Sequence, residues 1–166
     1  GRTGDQLVIH SQKLIESPPD LIIHLLCRHI KGKLSCPPEL TILLIHNHEY
    51  EPLMEKSLRY VGIENFTVLR PPISGTWVHT FKIRAILNYL KSGACKTEYL
   101  LYCDSDDAVL RDDPKKAIRY LEEENCELLL SRTRSKKIYN YLPQVKIWTD
   151  QVANEHGAPG WYINGC

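Results

Sequence analysis

No run of 18 consecutive apolar residues occurs in the 166-residue chain, so nothing in it is expected to cross a membrane as a helix. No basic n-region followed by an apolar h-region marks a signal sequence. Six cysteines stand at positions 27, 36, 95, 103, 126 and 166, and none forms a Cys-x-x-Cys pair, which removes the common structural-zinc spacing. Charge of neither sign dominates: 21 Lys and Arg face 20 Asp and Glu, for a net +1. A large sequence-independent nucleic-acid footprint is therefore not expected, although a local basic patch has room. No internal repeat, low-complexity tract or linker divides the chain, and 43% hydrophobic residues suffice for a core. One domain over residues 1–166 is the expectation.

The cysteines read best as small buried hydrophobes of a reduced protein, which favours a cytoplasmic setting. The Asn65-Phe66-Thr67 sequon is too common by chance to change that. The chain opens Gly1-Arg-Thr-Gly without Met and stops at Cys166. Both ends read as cuts, so a secretory-pathway lumen is the alternative if an upstream anchor has been removed.

What is present is an alternation of apolar runs and helical patterns. Gln6–His10 reads as a short strand. Ser17, Pro18 and Asp20 form a helix start, with Leu21, Ile22, Leu25 and Leu26 following at helical spacing. Leu40–Ile45 is a continuous apolar run of strand length that ends in His46-Asn47-His48. Pro52 opens a second helix carrying Met54, Leu58 and Val61, with Gly62 placed to stop it. Phe66–Leu69 is a third strand. Ile83, Ile86, Leu87 and Leu90 fit i, i+3, i+4, i+7 for a third helix, closed by Gly93. Tyr99–Cys103 is a fourth strand, Asp113-Pro114 starts a fourth helix, and Glu127–Leu130 is a fifth strand. Strands that are solidly apolar rather than alternating are covered on both faces. The βαβαβαβαβ order thus predicts an α/β fold: an open, mostly parallel, Rossmann-like sheet with helices on both faces.

In such sheets ligands bind outside the carboxyl ends of the strands. Three carboxylates, Asp104, Asp106 and Asp107, stand within four residues at the carboxyl end of the fourth strand. Like charges this close repel and are costly to desolvate unless something positive sits among them. Grouped carboxylate oxygens suit a hard cation, Mn²⁺ or Mg²⁺. Two carboxylates do not cage such an ion, which completes its shell with water and substrate phosphates. A diphosphate is the implied ligand. Lys82, in the first turn of the third helix, falls on the same edge, with Arg84 nearby. Lys91, in the last turn, falls on the opposite edge. His10, Ser11 and Gln12 after the first strand and His46–His48 after the second open onto the carboxylate edge too.

An apolar strand ending in Asp104-Ser105-Asp106, fourth in such an alternation, resembles the GT-A class of nucleotide-sugar glycosyltransferases, where a DXD motif holds this place. The resemblance covers roughly residues 6–166 as a layout. It implies that Asp104 meets the donor ribose or a metal-bound water, and that Asp106 ligates the ion bridging the two phosphates. Thr80–Arg84 is similar to the helix that points a basic residue at the donor. Tyr162-Ile163-Asn164-Gly165 looks like the later Asn-containing segment beside the donor sugar. The donor implied is a nucleotide sugar, a UDP-sugar first among them, and the acceptor is a glycan, a protein or a lipid. An acceptor half, a third metal ligand and a catalytic base would follow residue 166, which would make this chain the donor-binding half.

Plainer readings stand beside these. Asp104 and Asp106 could belong to a hydrated turn, although three carboxylates exceed what one turn needs. Asp107 is equally a ligand or a bystander. Lys82 is equally a donor contact or a solvated helix residue, and Arg84, aligned with Asn88 and Lys91, better fits a solvated face. Asp113 is read as an N-cap. His46-x-His48 alone is a weak metal pair, and the basic run Arg132–Lys137 is an ordinary surface loop more often than a phosphate site. The alternative enzyme class is a haloacid-dehalogenase-like phosphatase, whose Asp motif also follows an apolar strand. Ala108 departs from its pattern, and the downstream Lys and acidic pair are not evident. A non-catalytic nucleotide-binding module is the third reading.

Overall fold

A computed structural model describes residues 19–73, 75, 80–129 and 132–133, with short pieces at 147, 150–151, 154–155, 157 and 162–163. The expected first strand, with His10 and Ser11, lies outside the described residues, as does Asn164. The chain divides into two compact units, Gly1–Tyr120 and Leu121–Cys166.

In the first unit the elements run α1 (Pro19–Cys27), β1 (Leu40–Ile45), α2 (Leu53–Tyr60), β2 (Thr67–Leu69), α3 (Thr80–Lys91) and β3 (Tyr99–Tyr102), and α4 (Lys115–Glu123) begins there. The three strands form one open, all-parallel sheet in the order β2-β1-β3. Leu43, Leu44 and Ile45 pair with Thr67, Val68 and Leu69, and Leu40 to Leu43 pair with Tyr99 to Tyr102. The protein is thus an α/β protein with a parallel sheet.

β1 shows why its sequence is apolar at every position but one. Strand side chains alternate between faces. Ile42 and Leu44 enter a cluster with Ile23 and Cys27 of α1, Met54 and Leu58 of α2, and Ile118 of α4. Leu43 and Ile45 enter a second cluster with Ala85, Ile86 and Tyr89 of α3. Helices therefore cover both faces, and a strand so enclosed buries Leu or Ile in both directions at roughly 1.5–3 kcal/mol each. α2 ends as its sequence predicts. Gly62 takes φ +94°, its amide donates to the Arg59 carbonyl, and Ile63 donates back to Leu58. That closure requires a left-handed residue after the last turn.

Three expectations are corrected. Periodicity located α3 but chose the wrong face: Ile83, Leu87 and Leu90 are exposed, while Ala85 and Tyr89 join Ile86 against the sheet. α1 shows a partial shift: Leu26 packs against the core as expected, but Leu21 and Leu25 are exposed and Ile23 and Cys27 are buried. Both helices carry apolar residues on more than one side, so spacing alone does not say which stripe meets the strands. Finally, residues 127–129 are not a strand. Leu128 is 71% exposed, and among the described residues this run joins no ladder.

In the second unit, Arg132–Thr133 (β4) and Tyr162–Ile163 (β5) pair antiparallel, Arg132 opposite Ile163 and Thr133 opposite Tyr162.

Candidate functional site: a cleft where the strand order reverses

From β1 the chain crosses through α2 to β2 on one side. It then returns through α3 to β3 on the other. The carboxyl ends of β1 and β3 are therefore neighbours whose onward connections diverge, and such a reversal leaves a crevice. A cavity of about 460 Å³ lies there, lined by Ile45, His46, Asn47, His48, Ile73, Lys82, Ser105 and Asp106. Its lining comes from the loop after β1, the segment after β2, the first turn of α3 and the loop after β3.

The loop after β3 is tied down by backbone. Cys103 N–H donates to Leu43 O (3.1 Å), which extends the ladder one residue past β3. Ser105, 3% exposed, gives its carbonyl to Met54 N–H at the start of α2 (2.9 Å). No side chain caps α2, whose N-cap position is Pro52, so this loop supplies an acceptor for one of its orphan amides. The same helix end carries partial positive charge towards a loop holding three carboxylates. Further on, Leu110 N–H donates to Ser57 Oγ (3.0 Å), Ser57 Oγ donates to Met54 O (2.8 Å), and Cys27 Sγ donates to Leu110 O (3.2 Å).

On this fixed loop the two carboxylates of the Asp-x-Asp motif each hold one oxygen against a neighbour. Lys82 Nζ forms an ion pair with Asp104 Oδ1, and Tyr102 Oη donates to the same oxygen (3.2 Å). His48 Nε2 meets Asp106 Oδ1 at 2.8 Å. Neither Oδ2 has a hydrogen-bond partner among the described residues, and none of their buried side-chain nitrogens or oxygens lacks one. No group of three or more His, Cys, Asp or Glu able to hold an ion occurs among the described residues. The Lys82 ammonium stands as a cation against Asp104. Cys103 is no rival anion. Burial first, and the adjacent Asp104 charge second, push its thiol up to about 12, so it stays protonated at neutral pH.

The α2 side of the cleft also holds His46, 2% exposed. His48 N–H donates to His46 Nδ1 (3.3 Å), which puts the ring hydrogen on Nε2, and Nε2 donates to Glu55 Oε1 at 2.5 Å. The His46 and His48 rings stack at 5.3 Å, and Tyr50 stacks outside His48 at 4.5 Å. Asn47 Nδ2 donates to Pro71 O (2.7 Å) and Arg70 to His48 O (2.7 Å), so the loops after β1 and β2 are joined.

Lys82, Ser105 and Asp106, singled out in the sequence, therefore line one cleft, and Asp104 is tied to it by its ion pair with Lys82. Arg84 is exposed on α3, and Asp107 is exposed beyond the lining. Asp113 Oδ1 accepts from Lys115 N–H (2.9 Å), a cap on α4. Sequence reasoning missed Glu55 and Tyr102, and gave His48 little weight. Tyr102 lies two residues before Asp104 on a strand and so shares its face, a legible signal. Glu55 is nine residues from His46, and nothing in the pattern couples them. No family model matches the chain, and neither does any curated protein or solved structure.

Proposed function

We propose that the cleft binds a nucleoside diphosphate sugar together with Mn²⁺ or Mg²⁺, and that the protein is a glycosyltransferase of the GT-A class, with its Rossmann-like donor-binding fold. The observation that carries this reading is the meeting of one lysine and two half-engaged carboxylates at the reversal of the strand order. A purely anionic ligand would call for cations alone, and a purely cationic one for carboxylates alone. A diphosphate carried with a divalent ion uses both.

In this reading Asp104 and Asp106 would hold the ion. Tyr102 and His48 fix the rotamers of the two carboxylates, and Lys82 neutralises phosphate charge. Transfer breaks the bond between the anomeric carbon and the diphosphate, whose oxygen gains negative charge in the transition state. A divalent ion held by the Asp-x-Asp carboxylates would supply positive charge that favours the transition state over the ground state. Lys82 adds to this from a half-buried position, where charge is weakly screened.

The test is calorimetric titration of UDP and GDP, each with and without Mn²⁺, into the parent chain and into Asp106→Asn. The expected result is nucleotide binding that requires Mn²⁺. Asp106→Asn should lose it by roughly thirtyfold, about 2 kcal/mol for one charge-assisted contact. Unchanged binding in Asp106→Asn, or no nucleotide binding in the parent, overturns the reading.

A further inference from the structure

The outer face of α3 is apolar and basic at once. From Asn65 to Thr97 the chain has no Asp or Glu and carries Arg70, Lys82, Arg84, Lys91 and Lys96. The whole chain is only +1, so the remainder is net acidic and positive charge is concentrated around this helix. α3 itself carries Lys82, Arg84 and Lys91 and no carboxylate. Lys82 is turned to Asp104. Arg84 and Lys91 are exposed and form no ion pair among the described residues.

Successive helix residues step about 100° around the axis. Ile83, Leu87 and Leu90 therefore fall within about 60° of one another, and they are 68%, 47% and 47% exposed. Arg84 and Lys91 flank this stripe on one side. Ile86, packed towards the sheet, borders it on the other. Single exposed leucines are ordinary, but large aliphatics in line on one helix mark a contact surface.

Charge and shape say what covers it. A second copy offering the same face would set Arg84 and Lys91 against their own equals. A folded acidic partner would need roughly 800 Å² on each side, far more than one short stripe supplies. A nucleic acid is gripped by aromatic and hydrogen-bonding side chains, and the stripe offers only aliphatic carbon. A bilayer of anionic lipid needs neither a groove nor a large footprint. Aliphatic side chains enter the acyl boundary while the cations beside them meet the headgroups.

We propose that α3 docks the protein onto an anionic membrane surface, inserting Ile83, Leu87 and Leu90 and setting Arg84 and Lys91 among the lipid headgroups. The helix lies on the bilayer and does not cross it, since its 12 residues are too few to span. So few apolar residues and cations make the attachment reversible. The proposal is independent of what the cleft binds.

The experiment is flotation of the full chain with vesicles of phosphatidylcholine, alone or with about 30% phosphatidylserine. The parent should bind the anionic vesicles about thirtyfold more strongly than the neutral ones, about fivefold for each of the two cations. Salt at about 0.5 M should remove most of that gain. Arg84→Gln combined with Lys91→Gln should lose it at low salt. Ile83→Gln combined with Leu87→Gln should weaken binding to anionic vesicles about tenfold or more. Lys115→Gln combined with Lys116→Gln, the same charge change on α4, should bind as the parent does. All substituted positions are exposed or half-buried, and urea midpoints at the parent's value establish that the variants are folded.

Equal binding of the parent to neutral and anionic vesicles, or binding to neither, overturns the proposal without any variant. A loss in the α4 variant equal to that in the α3 variant overturns it too, because charge would then act from no particular place. Parent-level binding by Ile83→Gln with Leu87→Gln also overturns it, leaving a plain polyanion site open to an acidic polypeptide or a nucleic acid.

Discussion

The two walls of the cleft are built to different standards. On the α2 side, Met54, Glu55, Ser57 and Leu58 are all buried. Polar groups there are matched one by one: Glu55 with His46, Ser57 with Leu110 and Met54, and the Met54 amide with Ser105. On the α3 side, one residue of twelve, Ala85, is buried. The strands follow suit, since β1 is buried at every position but Thr41 and β3 is half-buried throughout. Buried, saturated polar networks fix a geometry, while a thinly packed helix opens and shifts at low cost. The fixed wall carries the groups that must hold position, the Asp-x-Asp loop and the histidine stack. The looser wall carries Lys82 in its first turn.

The sharpest way to break this contrast is to remove the same number of atoms from each wall. Leu58 is fully buried between α2 and β1. Leu58→Ala should cost about 2–5 kcal/mol through lost burial and the cavity left behind. Leu87→Ala on α3, where the leucine is 47% exposed, should stay within about 0.5 kcal/mol. Urea denaturation of both variants measures this, and equal losses would show that the walls do not differ.

A smaller effect separates polar matching from packing. Glu55→Ala leaves the His46 Nε2–H buried with no acceptor and should cost about 1–3 kcal/mol. Glu55→Gln keeps an amide oxygen for the same hydrogen and should lose less than half as much. If Glu55→Ala matches Glu55→Gln, the pair contributes nothing beyond volume. Because His46 Nδ1 accepts from the His48 amide, the alanine variant should also weaken nucleotide binding, visible in the same titration that tests Asp106.

The contrast also separates what could be read in the sequence from what could not. The continuous run Leu40–Ile45 announced a strand covered on both faces, and it is the central strand of the three. Asp104 and Lys82 could be assigned to one edge from topology alone, since a parallel strand's carboxyl end and the first turn of its crossover helix share that edge. The distance from Asp106 to His48 and the coupling of His46 to Glu55 are set by how loops close. That depends on three-dimensional contacts between residues far apart in number. Leu128 and Leu129 misled because an apolar run is necessary for a covered strand but not sufficient. A strand also needs a neighbour whose backbone is unpaired.

The smallest expected effect tests the element whose face the spacing chose wrongly. Ile83, Leu87 and Leu90 recur at i, i+4, i+7, as a core stripe should, and on that pattern alone Leu87 would meet the sheet. A lysine there would bury a charge and cost several kcal/mol. The packing says otherwise: Ala85, Ile86 and Tyr89 meet Leu43, Ile45 and Leu100, and Leu87 projects from the side. A helix side chain with nearly half its surface in water gives up little when it becomes a lysine, whose stem covers the same apolar ground and whose ammonium stays hydrated. Lysine is also as good a helix former as leucine. Leu87→Lys should therefore leave the urea midpoint unchanged within about 0.5 kcal/mol and leave nucleotide affinity at the parent's value. A loss of several kcal/mol would return Leu87 to the core and make the α3 wall as firmly packed as the α2 wall.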